Sequence, residues 1–355
     1  MIEPGGCFHG GIYSVDPSLV KIDFSSNVNP LGISKNVLSS IKRDLGSLSS
    51  SYPDPECNDL KKSLSDYLNI HCECINIGNG ATEIIHNFAR LFARKKVVIP
   101  SPSFCEYELA SRRMGASIFL VPLENLNLDA DQIVEKAKGS DAIFLCNPNN
   151  PTGLLYRKSL KKIIERVDNS TKILVDECFI ELVNASDRHT MIGNIGEFDN
   201  LIVLRSLTKS FGLAGLRLGY SVSNSKLADK LAAARISWNV NGIAQRAGIV
   251  ALMDLEHLAK ARAIVKEERE FMYINIRKKT QCFLPSKSDA NYFLIRLTNN
   301  KYSSTEVRDS LLAQSGVLVR DCSTFSRMGS NYIRVAIKNH GENLTLLNAL
   351  ESIES

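Results

Sequence analysis

No stretch of this chain approaches the ~18 uninterrupted apolar residues that a membrane-crossing helix needs. Nor does its N-terminus pair a basic start with an apolar run, the pattern of an export signal. The expected location is therefore the cytoplasm, with no membrane partner. Dense tracts of one charge are also missing. The 43 Lys and Arg against 38 Asp and Glu leave a net charge of +5, spread along the sequence, which gives no electrostatic footprint for nucleic acid. A small anionic ligand suits that balance better. Internal repeats and low-complexity segments are absent too. Cysteine is present, but its nine copies are an odd number, and Cys146 and Cys178 sit in apolar, strand-like surroundings. Reduced thiols are the expectation. Cys72 and Cys74 form a C-x-C pair with no second pair at zinc-like spacing, so no metal site is expected.

What is present describes an ordinary soluble enzyme. With 355 residues, 44% hydrophobic and 23% charged, the chain can bury a large core and form two domains. Leucines at 60, 64 and 68 predict a helix over 56–69, and Ser34 is placed to cap another running to about residue 45. Apolar runs then predict strands over 97–100, 117–121, 142–146, 172–175 and 201–204. Amphipathic helices fall between them over 104–114, 129–138 and 159–167. That alternation predicts an α/β fold: a mostly parallel sheet sandwiched by helices. From about residue 254 the character changes. A long charged helix over 255–279 leads to strands over 290–297, 317–320 and 332–337, a helix over 305–314 and a last helix from 342. The expected organisation is an N-terminal arm (1–33), a large domain (34–254) and a smaller α+β C-terminal domain (255–355).

Sites in such sheets gather at the carboxyl ends of strands. Three strand ends here carry polar residues: Asn147-Pro-Asn-Asn-Pro-Thr-Gly153, Asp176-Glu177, and the turn holding Ser206 and Lys209. A lysine fixed on a tight turn between apolar strands suits an amine that condenses with an aldehyde cofactor, with Ser206 and Arg217 near a phosphate. A solvated loop lysine is the bland alternative. The Gly-rich turn before Thr82 feeds a helix and offers amide N–H groups to a phosphate, as any helix start would. His9-Gly10-Gly11 lets backbone approach an anion, although a histidine near a terminus is commonly just exposed. Asn27 projects an amide toward a ligand, whereas Asn29 before Pro30 suits an Asx turn. Arg334 sits in the apolar run Tyr332-Ile-Arg-Val-Ala-Ile337, and Arg320 close to another. Each needs an anionic partner, from protein or ligand.

Taken in order, Asn147-Pro-Asn-Asn-Pro-Thr-Gly, Asp176-Glu and Ser206-Leu-Thr-Lys-Ser resemble the fold type I pyridoxal-phosphate enzymes, in the histidinol-phosphate aminotransferase branch. His9-Gly-Gly, Asp23-Phe-Ser-Ser-Asn-Val-Asn-Pro-Leu-Gly and Tyr332-Ile-Arg-Val-Ala-Ile are similar to the threonine-phosphate decarboxylases within that branch. The resemblance implies pyridoxal 5'-phosphate joined to Lys209, with Asp176 on the pyridine nitrogen, Asn150 on the ring hydroxyl and Phe104 on the ring face. It implies that Gly80, Ala81, Thr82, Ser206 and Arg217 hold the cofactor phosphate, with Tyr52 reaching over from a second subunit of a homodimer. His9, Gly10, Asn27, Asn150, Arg320 and Arg334 would bind a small phosphorylated amino acid. Two departures from the aminotransferases point to decarboxylation: Val28 stands where they carry glutamate, and Phe179 where they carry tyrosine. Ile12 departs from the asparagine that the decarboxylases carry after His-Gly-Gly. The implied reaction converts L-threonine O-3-phosphate to (R)-1-amino-2-propanol O-2-phosphate for cobalamin synthesis. Histidinol-phosphate amino transfer is the alternative.

Overall fold

A computed structural model describes residues 7–298 and 301–354; Gly5 and Gly6 of the expected arm lie outside them. The strands are β1 Ile22–Asp23, β2 Ile75–Asn79, β3 Lys96–Ser101, β4 Ser117–Pro122, β5 Ala142–Cys146, β6 Lys172–Asp176 and β7 Leu201–Ser206. They continue with β8 Leu218–Ser223, β9 Phe283–Pro285, β10 Tyr292–Leu297, β11 Val317–Leu318, β12 Arg320–Asp321 and β13 Tyr332–Ala336. The helices are α1 Lys35–Ser50, α2 Asn58–Leu68, α3 Gly80–Phe92, α4 Cys105–Arg113, α5 Ala130–Ala137 and α6 Arg157–Arg166. After them come α7 Leu207–Ser210, α8 Ser225–Ala233, α9 Gly242–Met253, α10 Leu255–Lys279, α11 Ser304–Ser315 and α12 His340–Glu354.

Seven strands form the large sheet in the order β2-β8-β7-β6-β5-β3-β4. Every pairing in it is parallel except the two made by β8, which runs against both β2 and β7. The apolar runs explain why helices cover both faces. Along β5, Ala142 and Phe144 enter one core and Ile143 and Leu145 the other, because successive side chains point to opposite sides. A strand buried on both faces needs apolar residues at every position, and β5 is buried throughout. Ser34 caps α1 by accepting from the Asn36 and Val37 amides, and the helix continues to Ser50, beyond its expected end.

The smaller sheet is antiparallel, ordered β12-β13-β10-β9. The single strand expected over 317–320 is two: β11 pairs in parallel with β1 of the arm, and β12 pairs with β13. The chain changes sheets at Val319. This split seats the arm, since Phe24 is fully buried in the same core as Met272, Phe293 and Ile333. The arm thereby lies against the small sheet with its first described residues directed back toward the large one.

Candidate active site

A cavity of about 310 Å³ opens where β5, β6 and β7 end, walled on its far side by the arm, β12 and β13. That is a common size for a small-ligand site. Lys209 is the sole lysine in its lining. The lysine stands in α7, a single helical turn capped by Ser206, whose Oγ accepts from the Thr208 amide at 3.2 Å. Below the turn lies a buried network. Arg205 Nη2 contacts Glu177 at 3.0 Å, Glu181 accepts from Ser210 Oγ at 3.0 Å, and Tyr220 donates to the same carboxylate at 3.3 Å. Lys209 is thus held from both neighbours in sequence. Among the described residues no carboxylate makes an ion pair with it. Burial first, then Arg334 and Arg217, lower its amine to about 8.

Asp176 ends β6 facing the same space. Its Oδ2 accepts from Tyr107 Oη at 2.7 Å and its Oδ1 from the Cys178 amide at 2.9 Å. Burial pushes this carboxyl up, while those two donors oppose the shift. A buried carboxylate with no cation calls for one.

Across the cavity, Gly80 opens α3, and Asn79 at the N-cap leaves the first amides without a side-chain cap. Gly80 has φ of +74°, and a Cβ there would meet the Arg217 guanidinium at 2.6 Å. Gly219 of β8 passes so close that its Cβ would lie 2.6 Å from the Ala81 amide nitrogen. Ala81, Thr82, Ser206 and Arg217 line the cavity at this end, joined by Thr208. Free amides at a helix start, hydroxyls and a guanidinium are the donor set for a phosphate.

The opposite end holds two arginines. Arg320 and Arg334 are register partners on β12 and β13, both buried. Arg334 donates Nη1 to Asn150 Oδ1 and Nη2 to the Ser25 carbonyl, while its Nε is buried without a partner. Arg320 donates Nη2 to the Phe8 carbonyl at 2.6 Å and to Thr324 Oγ1 at 2.8 Å. Neither meets a carboxylate among the described ion pairs. Burial, then the Arg334 charge, lowers Arg320 to about 10. Asn27 Oδ1 nearby is likewise buried and unpartnered.

The class I and II aminotransferase family model matches residues 20–353. The chain belongs to that family. A provisionally named threonine-phosphate decarboxylase from Caldanaerobacter subterraneus subsp. tengcongensis is 35% identical over 97% of this chain and 93% of that protein. A histidinol-phosphate aminotransferase from Caldicellulosiruptor saccharolyticus is 34% identical over 94% and 91%. A solved histidinol-phosphate aminotransferase from Sinorhizobium meliloti, in complex with pyridoxal 5'-phosphate, superposes with a TM-score of 0.90. It covers 98% of this chain and 95% of its own, at 22% identity, a likeness of fold.

The cofactor of this member of the class I and II aminotransferase family is pyridoxal 5'-phosphate, and the cavity fits it. An amine lowered to about 8, a buried carboxylate lacking a cation and a phosphate-type donor set stand at three points around one space. Of the residues expected from sequence, His9, Gly10, Asn27, Phe104 and Asn150 also line it. Gly80 shapes the wall from behind, and Tyr52 stands apart, 85% exposed with its ring against Trp238 at 5.2 Å.

Sequence reasoning missed Tyr107, one helical turn beyond Phe104, and Glu106, whose carboxylate joins two histidines. His9 Nε2 lies 2.9 Å from Glu106 Oε1, and His86 Nε2 3.0 Å from Oε2. Burial would raise this carboxyl; the imidazoles outweigh it and hold it down at about 2. The expectation of reduced thiols throughout is corrected: Cys7 and Cys105 are joined in a disulfide, and the other seven cysteines form none. Their 98-residue separation hides the contact from any spacing rule. Cys7, Cys105 and His9 also place their donor atoms within 4.8 Å of one another, a metal-type cluster that the C-x-C pair does not form.

Tyr107 gives a prediction from the direction of the Asp176 shift. Its phenol stabilises the charged carboxylate and opposes the upward push of burial. In Tyr107→Phe the carboxyl should therefore rise further, and the acid limb of the kcat profile should move to higher pH. An unmoved limb would show that the phenol does not tune Asp176.

Proposed function

We propose that this chain decarboxylates L-threonine O-3-phosphate to (R)-1-amino-2-propanol O-2-phosphate, for the aminopropanol arm of cobalamin. The observation that carries the reading is the pair of buried arginines without carboxylate partners, Arg320 beside Arg334. Two guanidiniums at one register suit a substrate with two anionic groups, here phosphate and carboxylate. The arm adds to this, since Phe8, His9 and Gly10 line the cavity at the arginine end. Phe179, also in the lining, cannot donate a hydrogen bond to a ring oxygen, unlike the tyrosine expected in an aminotransferase.

The cofactor, when bound, supplies a ring able to accept the electron pair left on Cα as the carboxylate departs as CO2. The chain's own residues decide which bond at Cα breaks. Arg320 and Arg334 hold the two anionic groups and so fix how the amino acid is turned. Phe104 forms one wall of the slot, and Asp176 keeps a positive charge opposite its carboxylate. Lys209 Nζ is the amine placed to return a proton to Cα. We also propose a cytoplasmic homodimer in which Tyr52, exposed on its own subunit, completes the neighbour's cavity.

Histidinol-phosphate amino transfer is the second reading, supported by the Caldicellulosiruptor relative, whose identity is one percentage point lower. Incubating purified holoenzyme with phosphothreonine separates the two. The expected result is CO2 release without any 2-oxo acid acceptor. Amino transfer to 2-oxoglutarate with no CO2 would reject the decarboxylase.

A further inference from the structure

The arm that closes the arginine end is fastened by a covalent link the mechanism does not use. Cys105 is the first residue of α4, next to Phe104 in the cavity wall, and Cys7 stands two residues before His9. Their Cα atoms are 5.5 Å apart, an ordinary span for a disulfide. Without that bond, few ties hold the segment between Cys7 and Ser14. They include Arg320 on the Phe8 carbonyl at 2.6 Å, Glu106 on His9 at 2.9 Å, the His9 ring against Phe104 with centroids 5.8 Å apart, and the Gly11 amide on Ser25 Oγ at 2.7 Å. Phe8 and His9 are exposed, and Cys7 and Cys105 are half-buried. The other seven cysteines form no disulfide and lie outside this arm.

We propose that Cys7 and Cys105 form a reversible thiol–disulfide exchange site that sets how firmly the arm covers the substrate end of the cavity. The chemical partner is a low-molecular-weight disulfide, RSSR. One cysteine thiolate attacks an RSSR sulfur and expels RS⁻; the second attacks the mixed disulfide so formed and expels the other RS⁻. The two protein thiols lose two electrons, RSSR gains them, and two protons are released. A low-molecular-weight thiol reverses each step. In the oxidised protein the arm stays docked. In the reduced protein it depends on its hydrogen bonds, and a docked fraction of about one tenth would weaken apparent substrate affinity about tenfold. The device acts on the cavity whichever reaction is performed there.

The test uses full-length holoenzyme, oxidised with excess RSSR or reduced with a dithiol in the presence of a chelator. Thiol titration after denaturation should find seven thiols in the oxidised form, those outside the disulfide, with the linked peptides containing Cys7 and Cys105. Reduction should speed amide hydrogen exchange in residues 8–14 and raise KM for phosphothreonine about tenfold, with kcat little changed. Cys7→Ser should match reduced wild type under both conditions, while Cys72→Ser should respond to redox as wild type does. Hydrogen exchange reads the arm even if phosphothreonine is not the substrate, so the two proposals fail separately. Equal exchange in both redox states would overturn the inference. So would zinc, added in place of chelator, protecting the reduced arm as fully as the disulfide does, since Cys7, His9 and Cys105 would then serve as a metal site.

Discussion

Replacing Lys209 by alanine is expected to lower turnover by at least about 10³-fold, within the ~10²–10⁴ that a positioned proton-transfer group contributes. The loss of its proposed covalent hold on the cofactor adds to that. No other lysine lines the cavity to substitute for it. The position is also costly to maintain for any purely structural purpose. A half-buried ammonium facing Arg334 and Arg217, with no carboxylate in contact, is disfavoured by desolvation and like charge together, which is why its amine falls to about 8. A solvated loop lysine would carry neither burden. Fold and cofactor cradle should survive the change, because Ser206, the Glu181–Ser210 contact and the α3 amides do not depend on the amine. The variant should therefore still take up pyridoxal phosphate, while borohydride no longer fixes it to the protein. Retained turnover, or unchanged covalent fixation, would remove Lys209 from its assigned place.

How much of this could be read from sequence depends on the range of the contact. The strands β3 to β7 and the helices between them announce themselves through local patterning, and α10 runs from 255 to 279 as its charge pattern predicts. The direction of β8 is not announced. A strand buried on both faces has the same apolar composition whether it runs with or against its neighbours. Helix α9 is difficult for a related reason, being rich in Ala and Gly with apolar residues around much of its circumference. Lys209, Asp176 and Asn150 were legible because each follows a strand, and strand ends converge. Arg320 and Arg334 were legible as charges in apolar runs, but not as register partners; that requires the sheet. Glu106, His86 and the Cys7–Cys105 link join segments far apart in the chain, and no periodicity carries such information.

Arg334→Ala is expected to weaken substrate binding by about 2–4 kcal/mol, the cost of leaving a desolvated anion without its partner. That is roughly 30- to 700-fold in affinity. Two features separate this from a general loss of structure. Arg334 stands beside Arg320 with no carboxylate in contact, and burial lowers its guanidinium below the ordinary range, so the ligand-free protein holds an electrostatic burden that alanine removes. Against this stands the loss of the bonds to Asn150 and the Ser25 carbonyl. With these effects opposed, the melting temperature of the ligand-free variant should move little while KM rises steeply. Arg334→Lys keeps the charge but loses the planar fork that reaches Asn150 and Ser25 together, so it should recover only part of the affinity. Cofactor affinity should stay near wild type, because the proposed phosphate cradle of Ala81, Thr82 and Ser206 lies at the other end of the cavity. An unchanged KM, or a loss of pyridoxal phosphate that accounts for the whole effect, would show that Arg334 does not hold the substrate.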